Sequence, residues 1–212
     1  MDFEEVAQRI NAQLQSKNEA REKALSFARQ TIRASGSSIR AVHQEKFERA
    51  SSLLDKAGHD VKECDSLLVG FPDIYYAGFL QDAQKEYVEA CATFALIVGQ
   101  QIPDPDELGV GYTSFLSGLG EAIGELRRHI LDIIRKGDLA RGEQFLAAMD
   151  EIYYLLTSFD YPEAIMPGLR RITDVARSIM ERTRGDLTNA LSQDNLKRAL
   201  SEAQRHVKNQ GS

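Results

Sequence analysis

The chain has 212 residues, of which 42% are hydrophobic, with five prolines and no tryptophan, so a sizeable core and long helices are possible. Its formal net charge of −6 excludes a uniformly basic nucleic-acid coat protein, and nucleic-acid binding would have to come from a local patch. The two cysteines suggest neither a disulfide framework nor a zinc site. With no signal peptide and no apolar run near the roughly 18 residues of a membrane span, we expect a soluble cytoplasmic protein with no membrane partner.

Apolar residues recur at three-to-four spacing along most of the chain, which predicts α-helices and no β-strand of useful length. The small residues at 34–38 predict an interruption or kink in the first helix. Prolines and glycines at 100–111 predict a loop with at most a turn of helix, and Gly137 is suited to a left-handed C-cap. Helices are predicted over residues 2–34 with a resumption to 47, and then over about 46–68, 74–99, 112–135 and 140–158. A sixth helix is predicted from near residue 163 or 167 to about 185, and a shorter one over 192–207.

These elements predict an all-α fold: one domain over residues 1–212, built as a bundle of about seven helices. The sequence contains no Gly-rich phosphate loop, no Gly-x-Ser-x-Gly elbow and no Cys-x-x-Cys motif. The familiar signatures of nucleotide binding, serine hydrolysis and thiol redox chemistry are therefore absent.

Acidic residues recur on two of the predicted helices. Glu86 and Glu89 are three residues apart on one helix, with Asp82 on the same face, and Glu121 and Glu125 are four apart on another. Clustered carboxylates repel one another unless a cation compensates them, and hard divalent ions such as Mg²⁺ or Mn²⁺ prefer oxygen ligands. Such ions can activate water for phosphodiester cleavage.

Two other interpretations bear on this pattern. Acidic residues at such spacing usually lie on a solvated helix face, because Asp and Glu are mostly exposed. A di-iron bundle would use Glu-x-x-His motifs, and no histidine here has a glutamate three residues before it.

Three glycines lie on the second acidic helix, at positions 118, 120 and 124. Each weakens a helix by about 1 kcal/mol relative to alanine, which makes sense if another backbone or a substrate comes close.

Four segments together resemble the translin/TRAX superfamily over nearly the whole chain: Gln84–Ala90, Gly118–Arg128, Lys136–Asp138 and Arg184–Gly185. The resemblance implies a seven-helix fold and a closed octameric barrel, which in eukaryotes mixes translin and TRAX subunits into an RNA nuclease. Only TRAX is catalytic there, and translin lacks the acidic set, so this chain looks TRAX-like. It lacks a basic nuclear-targeting tail and long insertions, which fits a prokaryotic or archaeal homo-oligomer better than a mixed complex.

By that resemblance, the catalytic and metal-binding residues are Glu86, Glu89 and Glu121, with Glu125 alongside. The family usually has Asp where Glu121 stands. A glutamate is one methylene longer, so the ligand chemistry survives while the geometry shifts.

Residues 17–49 contain eight basic and four acidic side chains, a local balance of +4. Arg33, Arg40 and His43 are candidates for a phosphate-binding surface, as is Arg128, which has a counterpart in the resembling family. An ordinary solvated helix with salt bridges explains the basic run about equally well, and Arg128 could simply pair with Glu125.

The leading hypothesis is a Mg²⁺- or Mn²⁺-dependent endoribonuclease that acts on single-stranded RNA inside an oligomeric barrel, with single-stranded DNA as a further ligand. One alternative is a non-catalytic translin-like protein that binds single-stranded nucleic acid. The other is a helical scaffold with no nucleic-acid role.

Overall fold

The computed structural model describes the backbone of residues 2–210 and the side chains of residues 2–206, so the extreme ends of the predicted 1–212 domain lie outside it. Over residues 2–210 the chain forms eight α-helices and no strand, which confirms the all-α prediction. Two of the eight, α3 (Pro72–Tyr75) and α5 (Pro105–Leu108), are single turns of four residues. The helices are α1 (Phe3–His43), α2 (Phe47–Leu68), α3 (Pro72–Tyr75), α4 (Phe79–Val98), α5 (Pro105–Leu108), α6 (Tyr112–Lys136), α7 (Leu139–Thr157) and α8 (Leu169–Gln210).

The interruption predicted at residues 34–38 is wrong, because α1 continues without a break to His43. Ala34, Ser35 and Ser38 are buried, and the Ser38 hydroxyl donates a hydrogen bond to the Ala50 carbonyl at 2.9 Å. Their small side chains let α1 and α2 approach closely. Tertiary packing therefore outweighs the poor helix propensity of this stretch.

Helices α1 and α2 form an antiparallel hairpin, and α4 contacts both of them. The connection between α1 and α2 turns at Glu45, whose φ is 59°. Farther along the hairpin, the Cys64 thiol lies 3.5 Å from the Ala24 carbonyl oxygen. Both residues belong to a buried apolar cluster with Leu68 and Leu80, which holds α4 against the pair.

The helix predicted over residues 74–99 is two helices, α3 and α4. Gly78 lies between them with φ of 98°, a conformation that favours glycine and is incompatible with a continuing helix. The loop prediction for residues 100–111 is confirmed, with α5 as its one helical turn. Gly137 follows α6 with φ of 82°, as a left-handed C-cap requires.

The last two predicted helices form one continuous helix, α8, which begins at Leu169, two residues after the later of the two predicted starts at Glu163 and Pro167. The residues across the predicted gap pack instead of forming a loop. Leu187 is fully buried, and Asp186 accepts a hydrogen bond from Arg127 at 2.8 Å. Gly185, where the sixth helix was predicted to end, lies inside α8.

The fold divides into two compact units. The first comprises residues 1–122 and 162–169, and the second comprises residues 123–161 and 170–212, so α6 contributes to both. In the second unit, α6, α7 and α8 meet at Gly142, where an added Cβ would lie 3.0 Å from Leu187 Cδ1 and 3.8 Å from Ile133 Cγ2. Over residues 2–210, no helix combines the length and apolarity that crossing a bilayer requires.

Candidate metal centre

Helices α4 and α6 come into close backbone contact within the first unit. A Cβ added at Gly118 would lie 2.5 Å from the Lys85 carbonyl oxygen and 2.6 Å from Val88 Cβ. The Gly111 amide, just before α6, donates to the Gln84 side-chain oxygen at 3.3 Å. The expectation that a glycine here admits another backbone is therefore confirmed at Gly118. It does not hold at Gly124, where an added Cβ would meet nothing within 4 Å.

This approach brings three of the predicted acidic residues together. Carboxylate oxygens of Glu86 and Glu89 on α4 and of Glu121 on α6 all lie within 4.8 Å of one another. All three residues are partly buried. The two helices thus supply a set of three oxygen donors at one point, which is the type of ligand that Mg²⁺ and Mn²⁺ prefer.

Lys85, which is not among the site residues predicted from the sequence, lies among these carboxylates. Its Nζ is 2.9 Å from Glu121 Oε1 and 4.0 Å from Glu86 Oε1. A signal was present, because Asp82, Lys85, Glu86 and Glu89 follow the three-to-four spacing of a single helix face. Within α4, Lys85 is the only basic residue.

Burial and neighbouring charges both shift the pKa values of Glu86 and Lys85 in this cluster. Burial raises the pKa of Glu86, Lys85 opposes that rise, and the charges of Glu121 and Asp82 add to it. For Lys85, burial acts to lower the pKa, but the hydrogen bond and charge of Glu121, with Glu86 and Asp82, raise it overall. Lys85 therefore stays charged, while Glu86 pays an electrostatic penalty that a bound cation would relieve.

Glu125 and Arg128 lie on the part of α6 that belongs to the second unit. Arg128 Nη1 is 3.6 Å from Glu125 Oε2, one helical turn away, so the predicted pairing of these two residues is present. Glu125 is not a member of the three-carboxylate group. Its role as a ligand, and that of Arg128 in binding phosphate, stay predictions.

The three residues of α1 that were predicted to bind phosphate lie on one side of that helix. Arg33 and Arg40 are exposed and His43 is partly buried. Both arginines bond within their own helix, Arg33 Nε to the Arg29 carbonyl at 3.2 Å and Arg40 Nη2 to the Ser37 hydroxyl at 2.9 Å. With the exposed Arg29, they form a basic stripe that we call the α1 stripe.

No family model matches the sequence. An uncharacterized protein of Methanocaldococcus jannaschii, MJ0175, is 30% identical over 193 residues, which is 90% of this chain and 85% of that protein. Among solved structures, AfC3PO in complex with duplex RNA matches with a TM-score of 0.82 and 34% identity, covering 91% of this chain and 98% of that one.

A second structure of AfC3PO gives a TM-score of 0.81 at the same identity and coverage. Apo-NeC3PO has the same fold, with a TM-score of 0.79 at 21% identity over 87% of this chain and 96% of that one. Fold, identity and coverage agree along nearly the whole length. The chain therefore belongs to the translin/TRAX family, which includes these C3PO proteins.

Proposed function

We propose that the protein is a Mg²⁺- or Mn²⁺-dependent endoribonuclease whose metal ligands are Glu86, Glu89 and Glu121. The observation that carries the proposal is the convergence of these three carboxylates, from two helices, within 4.8 Å. A bound divalent ion would supply an activated water and stabilise the leaving oxygen of a phosphodiester. Glu125, one turn farther along α6, is an additional candidate ligand.

The three carboxylates fit such an ion. Their oxygens, all within 4.8 Å of one another, would offer a hard divalent ion the ligand type that it prefers. Two unit charges 4 Å apart repel by about 4 kcal/mol at an effective dielectric constant near 20, so a cluster of this kind favours a cation.

RNA as the substrate is supported by the relatives and by charge. AfC3PO, which is 34% identical, has been solved with duplex RNA. The α1 stripe supplies exposed guanidinium groups that can bind phosphate without reading base sequence. We propose Arg33, Arg40, His43 and Arg128 as phosphate-binding residues, with single-stranded RNA as the strand that is cut and single-stranded DNA as a further ligand.

We also propose that the chain works as a homo-oligomer, with the octamer of the resembling family as the expected size. From residue 2 to residue 19, α1 has no buried side chain, yet it exposes Phe3, Ile10 and Leu14 by 76%, 51% and 57%. These three residues share one helix face. An apolar face of this kind is typical of a surface that another subunit covers.

The deciding experiment measures cleavage of short single-stranded and duplex RNAs with EDTA, Mg²⁺ or Mn²⁺. We expect metal-dependent cleavage of the single strand, and loss of at least about a hundredfold in rate for Glu89→Gln, because losing even an outer-shell partner of a metal ligand costs about 10–100-fold. Glu151→Gln, at an exposed position of α7, is the matched control and should keep full activity. Cleavage that persists in EDTA, or in Glu89→Gln, contradicts the proposed mechanism.

The same samples separate the alternatives. RNA binding without cleavage under any metal condition indicates a non-catalytic single-strand-binding protein. Absence of both binding and cleavage indicates a helical scaffold. Preference for duplex RNA as the cleaved substrate would correct the proposed strand preference while leaving the metal centre intact.

A further inference from the structure

The candidate metal centre already contains a cation that belongs to the protein. Lys85 Nζ donates to Glu121 Oε1 at 2.9 Å and lies 4.0 Å from Glu86 Oε1. Its side chain is 26% exposed, so the contact is partly shielded from water. An ion pair at such a site is stronger and less sensitive to salt than one on an open surface.

The formal charges of the cluster are informative. Glu86, Glu89 and Glu121 carry three negative charges, and Lys85 carries one positive charge, which leaves a net charge of −2. The exposed Asp82 on the same face makes the net charge −3. One divalent ion offsets most or all of that charge. A second would leave the site with an excess of positive charge at short range, which is unfavourable in a partly buried position.

We propose that Lys85 is the second cation of this metal centre: it shares Glu121 with a single divalent ion, positions that carboxylate, and limits the site to one ion. This inference rests on the proposed metal centre. Lys85 is a positioning residue, since its contacts are with ligands and not with the reacting atoms.

Two consequences follow from a tethered ammonium at this position. Because Glu121 donates electron density to both cations, the ion binds more weakly than it would to three uncompensated carboxylates. Because Nζ holds Glu121 from the side of α4, the longer glutamate is kept in reach of Glu86 and Glu89. Repulsion between two cations at short range outweighs the loss of one hydrogen bond to Glu121, so removing the charge strengthens metal binding on balance. A guanidinium at the same position keeps the positive charge and should preserve the present strength.

The test measures Mn²⁺ binding to the full chain, using isothermal titration calorimetry and the electron paramagnetic resonance signal of free Mn²⁺. We expect one Mn²⁺ per chain in the wild type and a dissociation constant at least about tenfold lower in Lys85→Met, given the size of charge repulsion at short range. Lys85→Arg should stay close to the wild type. Circular dichroism and thermal melting establish that each variant is folded, and Lys85→Gln replaces Lys85→Met if the latter does not fold.

The outcomes separate this inference from the function on which it rests. Equal or weaker Mn²⁺ affinity in the neutral variants than in the wild type, or two Mn²⁺ ions in the wild type, overturns the role of Lys85. Both results leave the metal centre standing if Glu89→Gln abolishes binding. Absence of Mn²⁺ binding in the wild type overturns the metal centre itself, and with it this inference.

Discussion

Replacing Gly118 by alanine tests whether the α4–α6 contact sets the geometry of the candidate site. The added methyl would meet the Lys85 carbonyl oxygen at 2.5 Å and Val88 Cβ at 2.6 Å. One of these atoms belongs to the backbone and the other is next to it, so neither can swing aside as the end of a flexible side chain could. The two helices must move apart, and α4 carries Glu86 and Glu89.

The magnitude follows from two opposing contributions. Alanine in place of glycine inside a helix stabilises by up to about 1 kcal/mol. Overpacking of a close contact destabilises by about 1–3 kcal/mol. Gly118→Ala should therefore lower the free energy of unfolding by up to about 2 kcal/mol. Gly124→Ala, in the same helix with nothing within 4 Å of its added Cβ, should gain up to about 1 kcal/mol.

The assay compares thermal or urea unfolding of the two variants by circular dichroism, together with Mn²⁺ affinity. For a chain of this size, a change of 1 kcal/mol shifts the melting temperature by about 2–4 °C. We expect Gly118→Ala to melt below the wild type and to bind Mn²⁺ more weakly, and Gly124→Ala to melt at or above it. A Gly118→Ala variant as stable as Gly124→Ala would refute the argument that backbone contact at Gly118 holds the carboxylates together.

Two further predictions concern other parts of the chain. Asp60 is 4% exposed, and burial raises the pKa of its carboxyl group. The folded state therefore keeps a proton that the unfolded state releases above about pH 3.9. The free energy of unfolding should fall as the pH rises from that value to the raised pKa of the folded state. In urea unfolding titrations, Asp60→Asn should be more stable than the wild type at pH 7 by about 1 kcal/mol and should lose that pH dependence. Equal stability of the two proteins at pH 7 would count against a buried charge at Asp60. Ile10→Glu should lower the mass measured by light scattering toward that of the 23.7 kDa chain, while Asn11→Glu, at an exposed polar position beside it, should not. A wild-type protein that is already monomeric would contradict the proposed oligomer.

Helix positions were predictable from the sequence where the pattern is local. The apolar spacing predicted the long helices, and Gly137 predicted where α6 ends. The errors arose where partners distant in sequence decide the outcome. Ser38 looks like a poor helix residue until its hydroxyl is paired with the Ala50 carbonyl, and the region around Asp186 looks like a break until Arg127 binds it.

The candidate site was predictable to a similar degree and for the same reason. Spacing placed Glu86 and Glu89 on one face of a helix, but only packing at Gly118 brings Glu121 to them. The resemblance to TRAX identified these three glutamates, although whether they bind metal stays a prediction. Periodicity alone could not have separated Glu121 from Glu125, because both lie on the same face of α6.

The position of Lys85 explains why a glutamate can stand at position 121. By resemblance, an aspartate is usual at this position, and the extra methylene was expected to shift the ligand geometry. In the structure the longer side chain reaches both the carboxylates of α4 and the Lys85 ammonium at 2.9 Å. A shorter aspartate, extending from the same backbone, would reach less far toward either partner. Glu121 and Lys85 are therefore best understood as a matched pair, and a double-mutant cycle of Glu121→Asp with Lys85→Met should show Mn²⁺ binding effects that are not additive. Additive effects would mean that the two side chains act independently and that the glutamate needs another explanation.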